Sequence, residues 1–112
     1  MLENDKSAKI LYTLAESKLL WEKRAAMLAT FAFIKQKETT HTTKIAEVLI
    51  NDEEDLIQKV VGWMLREAGK RASEKELTTF LDKHYKKMPR TMLRYSIERL
   101  NKKQKEYYMK KN

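Results

Sequence analysis

Apolar residues recur along this chain at three- and four-residue intervals, and stop signals divide the pattern into six or seven helices. The first covers residues 5–17, with Ala8, Leu11, Tyr12, Leu14 and Ala15 as its inward positions. The second runs over 19–37, and residues 39–43 supply caps for a third that ends near 51. Residues 52–55 set carboxylates at the start of the fourth, where the helix dipole favours them, and Gly69 serves as its C-terminal stop. Ser73-Glu74-Lys75-Glu76 matches a capping box for a fifth helix that reaches residue 87. Pro89 fits the first turn of a sixth over 90–100, and 102–111 forms a frayed seventh. No stretch alternates with period two, so the sequence predicts an all-α fold.

The fourth helix carries the sharpest signal. At about 100° per residue, Leu56, Ile57, Val60, Val61, Met64, Leu65 and Ala68 gather over roughly half its circumference. Trp63 falls at one margin of that arc, with Lys59, Arg66 and Lys70 just beyond it on the same side. A flat ring bordered by cations suits a polyanion with flat or apolar parts, such as nucleic acid. The same pattern also describes a boundary tryptophan beside solvated cations, and the helix by itself leaves both readings open.

Residues 20–28 align without gaps with residues 56–64, an offset of 36 positions. Two helices per repeat at that spacing point to an α-α superhelix of HEAT- or armadillo-like helical repeats. In such a solenoid the second, fourth and sixth helices lie side by side along the concave face.

Length and composition narrow the class. Residues 1–112 make one domain, and a 42% hydrophobic, 36% charged chain with two glycines and one proline suits a compact helical protein. The lack of cysteine excludes disulfides and thiolate zinc sites and fits a reducing cytoplasm. The longest apolar stretch, 25–34, contains a threonine and is too short to cross a bilayer. No cleavable signal pattern opens the chain, so a soluble cytoplasmic protein without membrane contact is expected. Charge is segregated: residues 1–82 carry 13 basic and 14 acidic side chains, whereas 83–112 carry 11 basic and 2 acidic. The excess therefore sits in the last helices and a basic tail at 101–112, as a phosphate-binding surface or a solvated terminus requires.

Arg24 shares its helix face with Leu20, Leu28 and Phe31, so its guanidinium emerges from an apolar stripe. A charge there must pair or meet a ligand. Glu47, Glu54 and Glu67 are the candidate partners, and a phosphate is the alternative. Arg90 and Arg94 add two cations one turn apart on the sixth helix, each equally compatible with a solvated surface. His41 and His84 are distant in sequence, with no carboxylate at ligand spacing, and read as cap or surface residues. No glycine-rich phosphate loop or nucleophile motif occurs, and no metal or cofactor is implied. Tyr107 and Tyr108 stand among lysines, where they either stack on bases or pack the terminal helix onto the body.

Leu20-Trp21-Glu22-Lys23-Arg24-Ala25-Ala26, the run from Asp55 to Glu67 centred on Val61-Gly62-Trp63-Met64, and Met88-Pro89-Arg90-Thr91-Met92-Leu93-Arg94-Tyr95-Ser96-Ile97-Glu98 occur in order over most of the chain. Together they resemble the bacterial DNA alkylation repair proteins of the HEAT-like alkylpurine DNA glycosylase family. The resemblance implies a superhelix that cradles duplex DNA and excises N3- or N7-alkylated purines without metal or cofactor. It places Trp63 on a tryptophan that contacts the lesion-bearing deoxyribose, and Arg24 on an arginine at the DNA phosphate. Lys59, Arg66, Lys70, Arg90 and Arg94 are then further DNA-binding candidates. The family's catalytic aspartate lies in a tryptophan-aspartate motif upstream of everything here, and Asp52 and Asp55 match a loop instead. The resemblance thus implies the C-terminal half of a family member, binding DNA weakly and excising little or nothing.

Three functions follow as expectations: a glycosylase-type repair protein, a non-catalytic DNA-binding repeat, and a protein-interaction solenoid with a solubilising tail. The first predicts that Trp63, Arg24, Lys59 and Arg90 face one cleft. It also predicts apolar surface on the first two helices, around Leu11 and Leu14, through which the chain self-associates or meets a missing N-terminal half.

Overall fold

The computed structural model describes residues 5–110, with side chains from residue 9 onward. Among the described residues every regular element is a helix: α1 (Asp5–Ala15), α2 (Leu20–Ile34), α3 (Thr40–Leu49), α4 (Asp55–Arg71), α5 (Glu74–His84), α6 (Arg90–Ser96) and α7 (Lys102–Met109). The burial expected of Ala8 lies outside the described side chains, as do positions 111 and 112 of the tail.

α4 is the hub. It packs most extensively on α6 and α2, so the even-numbered helices stand side by side as the 36-residue offset predicts. α1 lies against α2 and α3, α3 against α2 and α4, and α5 against α4. The shortest dimension, 18 Å, is that of two helix layers, and the arrangement is an all-α, helical-repeat-like fold. No helix among the described residues is long and apolar enough to cross a membrane.

The core forms where the α4 stripe meets its neighbours. Ile57, Val60, Val61, Met64, Leu65 and Ala68 are buried together with Met27 and Ile34 of α2, Ile45 of α3, Leu81 of α5, and Met92 and Leu93 of α6. Each large apolar side chain removed from water contributes about 1.5–3 kcal/mol. Leu56, expected on the buried arc, is instead half exposed, with its side chain on the lining of a surface cleft.

Several helices stop earlier than the pattern predicts. α2 ends at Ile34 because Lys37 takes a left-handed backbone (φ 69°). The Lys37 and Glu38 amides then close onto the Ile34 and Phe33 carbonyls at 2.8 and 3.0 Å. α5 ends at His84, where the Lys87 and Met88 amides turn onto the His84 carbonyl at 2.9 and 3.2 Å ahead of Pro89. Pro89 itself is the N-cap residue of α6 and not part of its first turn. α6 ends at Ser96, whose hydroxyl donates to the Leu93 carbonyl, although Ile97 and Leu100 stay buried beyond it.

Gly69 is not a helix stop. α4 continues through Arg71, and the glycine makes room for Leu77 of α5, whose Cδ2 would lie 2.5 Å from an added Cβ. Ser73 caps α5 through the Glu76 amide, while the reciprocal capping box belongs to Asn101 and Gln104 at the start of α7. α7 is therefore a capped helix with Tyr108 buried, not a frayed tail.

Candidate functional site

The pattern that strands Trp63 at the edge of the α4 stripe has a direct structural result. Val60 and Met64 on either side are buried, but Trp63 remains 41% exposed. Its ring borders a cavity of about 260 Å³ lined also by Arg24, Leu56, Lys59, Val60, Arg66 and Tyr95. α2 contributes Arg24, α4 the central face, and α6 the tyrosine. On its other side Trp63 borders a second hollow of about 210 Å³ with Leu28, Phe31, Met64, Glu67 and Arg71. The ring is thus a partition between a cationic chamber and a largely apolar one.

Arg24 is exposed and meets no carboxylate among the described residues. Two of its three candidate partners are engaged elsewhere. Glu47 accepts from His84 at 2.9 Å, and Glu67 binds Arg66 at 3.1 Å and Arg71 at 2.6 Å. Leu20, Leu28 and Phe31 are only half buried, and Leu28 and Phe31 line the second hollow beside Trp63. Lys59 pairs with Asp55 one turn earlier at 3.0 Å, and that hydrogen bond raises its ammonium above the ordinary lysine value.

Arg66 is held differently from the other cations. One terminal nitrogen bonds Glu98, just beyond α6, and the other bonds Glu67. Its Nε is enclosed and has no hydrogen-bond partner among the described residues. Burial works against its charge, but the two carboxylates outweigh that cost and raise the guanidinium above its ordinary value. For Glu67, burial pushes the carboxyl up, and the hydrogen bonds from Arg71 and Arg66 overcome it to a net lowering.

Of the candidate residues, Trp63, Arg24, Lys59 and Arg66 come together in one cleft. Arg94 lies next door, lining a wider hollow of about 440 Å³ with Arg66, Tyr95 and Glu98. Lys70 lines a further hollow with Arg66 and Arg99. Arg90 is not among the residues lining the Trp63 cleft. It opens α6, five residues and about 7.5 Å of helical rise before Tyr95, and Tyr95 takes the position instead.

Tyr95, Glu98 and Arg71 are not singled out by the sequence. The available signal was Gly62, which lets α6 approach α4 beside Trp63. Asp52 is structural, because Lys23 bonds its Oδ2 at 2.6 Å and the Glu54 amide donates to its Oδ1 at 2.9 Å. His41 and His84 are both half buried. His41 Nδ1 lies 2.8 Å from the Tyr12 hydroxyl beside Phe33, and His84 packs on Phe80. Leu11 is buried and Leu14 half buried; the exposed apolar residues of this end are Ile10, Leu19 and Trp21.

Neither the curated proteins nor the solved structures give a match to this chain. The family model described as DNA alkylation repair enzyme matches residues 1–100, which include the whole cleft. By that match, the chain belongs to the DNA alkylation repair enzyme family.

Proposed function

We propose that this protein grips duplex DNA through the Trp63 cleft and serves a glycosylase-type repair of alkylated purines on a HEAT-like superhelix. The observation that carries the reading is the convergence of Arg24, Lys59 and Arg66 around one exposed tryptophan. Cations from two helices favour a phosphate, and the flat face of the ring favours a deoxyribose or base between phosphates. An N3- or N7-alkylated purine is already a cationic leaving group. Release of the base therefore needs stabilisation of the oxocarbenium character left on the sugar, from an aromatic face and a carboxylate.

This chain supplies the aromatic face. Its nearby carboxylates are committed: Asp52 to Lys23, Asp55 to Lys59, and Glu67 to Arg66 and Arg71. Binding is thus the contribution of these residues, and excision by them alone is slow or absent. The test is fluorescence anisotropy of a labelled duplex across a salt series, paired with release of methylated base from alkylated DNA. Binding that weakens steeply with salt, with little base release, supports the reading. No binding at low salt ends it.

A second contact is favoured by Ile10, Leu19 and Trp21, the last 67% exposed, at the α1–α2 end of the molecule. We propose that another protein surface, a second copy included, covers them. Sedimentation of the parent and of Trp21→Ser checks this: association that Trp21→Ser weakens supports it, and a monomer at high concentration removes it.

A further inference from the structure

The cationic cleft leaves unused the apolar hollow on the other side of Trp63. That hollow measures about 210 Å³, room for one ring system rather than a drug-sized molecule. Leu28 and Phe31 of α2 and Trp63, Met64, Glu67 and Arg71 of α4 line it. Trp63, Glu67 and Arg71 stand at four-residue steps, so successive turns of one α4 face form its wall.

Three observations define what this hollow takes. Its walls offer two aromatic rings and a single carboxylate, Glu67, which is only 6% exposed. Arg71 Nε donates to Glu67 Oε1 at 2.6 Å and Arg66 donates to Oε2 at 3.1 Å. Each oxygen thus keeps a lone pair unused among the described residues. Secondly, the Arg71 guanidinium, itself a flat delocalised cation with N–H donors, stands 5.2 Å from the centre of the Phe31 ring. Thirdly, Arg71 is a removable occupant. Its side chain is 45% exposed, while Lys37 Nζ anchors its carbonyl oxygen at 2.7 Å, so the guanidinium can swing out with the backbone held. Arg66 is then shared between Glu67 and Glu98, one guanidinium against two carboxylates, and the hollow faces a net negative charge.

We infer that this hollow seats a flat, delocalised organic cation, the ring of an N3- or N7-alkylated purine, and that Arg71 holds the seat in its absence. This rests on the repair reading above and gives the substrate's base a place apart from the cationic cleft. Phe31 and Trp63 attract a positive ring through their faces, and Glu67 accepts its N–H groups. A neutral purine lacks both attractions, so the hollow favours the alkylated base over the intact one. A damaged base also leaves its stack at lower cost than an intact one. Trp63 borders both chambers, so one nucleotide straddles the ring, with its phosphate on the cationic side and its base on the apolar side.

The test is titration of 7-methylguanosine, a purinium cation in mildly acidic solution, into the Trp21→Phe protein, which keeps Trp63 as its one tryptophan. Saturable quenching of Trp63 fluorescence is expected, with neutral guanosine binding about tenfold more weakly. Arg71→Gln in the same background should tighten 7-methylguanosine binding about three- to tenfold, because a competing cation is gone. Phe31→Leu should weaken it about threefold. Equal quenching by the two nucleosides overturns the seat, as does 7-methylguanosine that quenches with or without Arg71 in no measurable degree. Weaker binding by a folded Arg71→Gln protein refutes Arg71 as the competing occupant. If Arg71→Gln fails to fold, the two nucleosides and Phe31→Leu decide the matter. Nucleoside binding by a protein that does not bind duplex at low salt sustains the seat and refutes the DNA reading. Duplex binding without nucleoside binding refutes the seat alone.

Discussion

Gly62 of α4 faces Tyr95 of α6 so closely that a Cβ on the glycine would lie 2.5 Å from the tyrosine Cβ and 2.6 Å from the Met92 carbonyl oxygen. Both are rigid parts of α6. Gly62→Ala therefore pushes the helix away and draws Tyr95 out of the Trp63 cleft. Alanine gains about 1 kcal/mol of helix propensity, but overpacking costs about 1–3 kcal/mol. The expected net is a loss of up to about 2 kcal/mol, read by thermal or urea unfolding. A stabilised Gly62→Ala protein would mean that α6 can yield without cost.

Glu67 provides a pH-dependent prediction. The hydrogen bonds from Arg71 and Arg66 hold its carboxyl below the ordinary 4.5 in spite of burial. The folded state therefore favours the ionised form. Its contribution is complete above the unfolded value and is lost as pH falls through the lower folded-state value. Glu67→Gln should cost about 1–3 kcal/mol at neutral pH, and the gap between parent and variant should close in strongly acidic solution. Urea unfolding at a series of pH values measures that gap, and a gap independent of pH contradicts the account.

Much of this arrangement is legible in the sequence, for a simple reason. The α4 stripe is wide and unbroken, so its burial and the exposure of Trp63 follow from angular position. The 36-residue offset likewise sets α2 and α4 side by side. What is not legible depends on contacts between elements. Leu56 belongs to the arc by angle, yet no helix covers it. Glu98 finds Arg66 only because α6 lies against α4. Helix ends also depend on backbone choices that composition barely marks, such as the left-handed Lys37. Gly69 is the reverse case, a residue whose smallness signals a stop but whose use is to admit Leu77.

The terminal helix gives a third prediction. The Tyr108 hydroxyl donates to Asp82 Oδ1 at 2.7 Å, and its ring stands edge-on to Tyr85 at 5.3 Å. Tyr108→Phe keeps the ring and loses one hydrogen bond, a cost of about 1 kcal/mol. Tyr108→Ala also loses the packing, costs about 3 kcal/mol and frees α7, so limited proteolysis should cut within residues 102–109. Equal protease resistance in all three proteins would mean that α7 is held without Tyr108.

The last prediction concerns Arg24, whose exposure and lack of a carboxylate partner separate binding from stability. Nothing in the fold depends on its charge, so Arg24→Gln should unfold like the parent. A charge-assisted bond to a phosphate contributes about 1.5 kcal/mol, so duplex affinity should fall about tenfold, with the salt slope reduced by about one. Lys59 gives the complementary result, because Asp55 competes with phosphate for its ammonium. Asp55→Asn should strengthen binding about twofold and steepen the salt slope. Opposite signs from two exposed changes on one cleft cannot arise from altered folding. If Arg24→Gln binds duplex as tightly as the parent, with the same slope, the Trp63 cleft is not where the DNA lies.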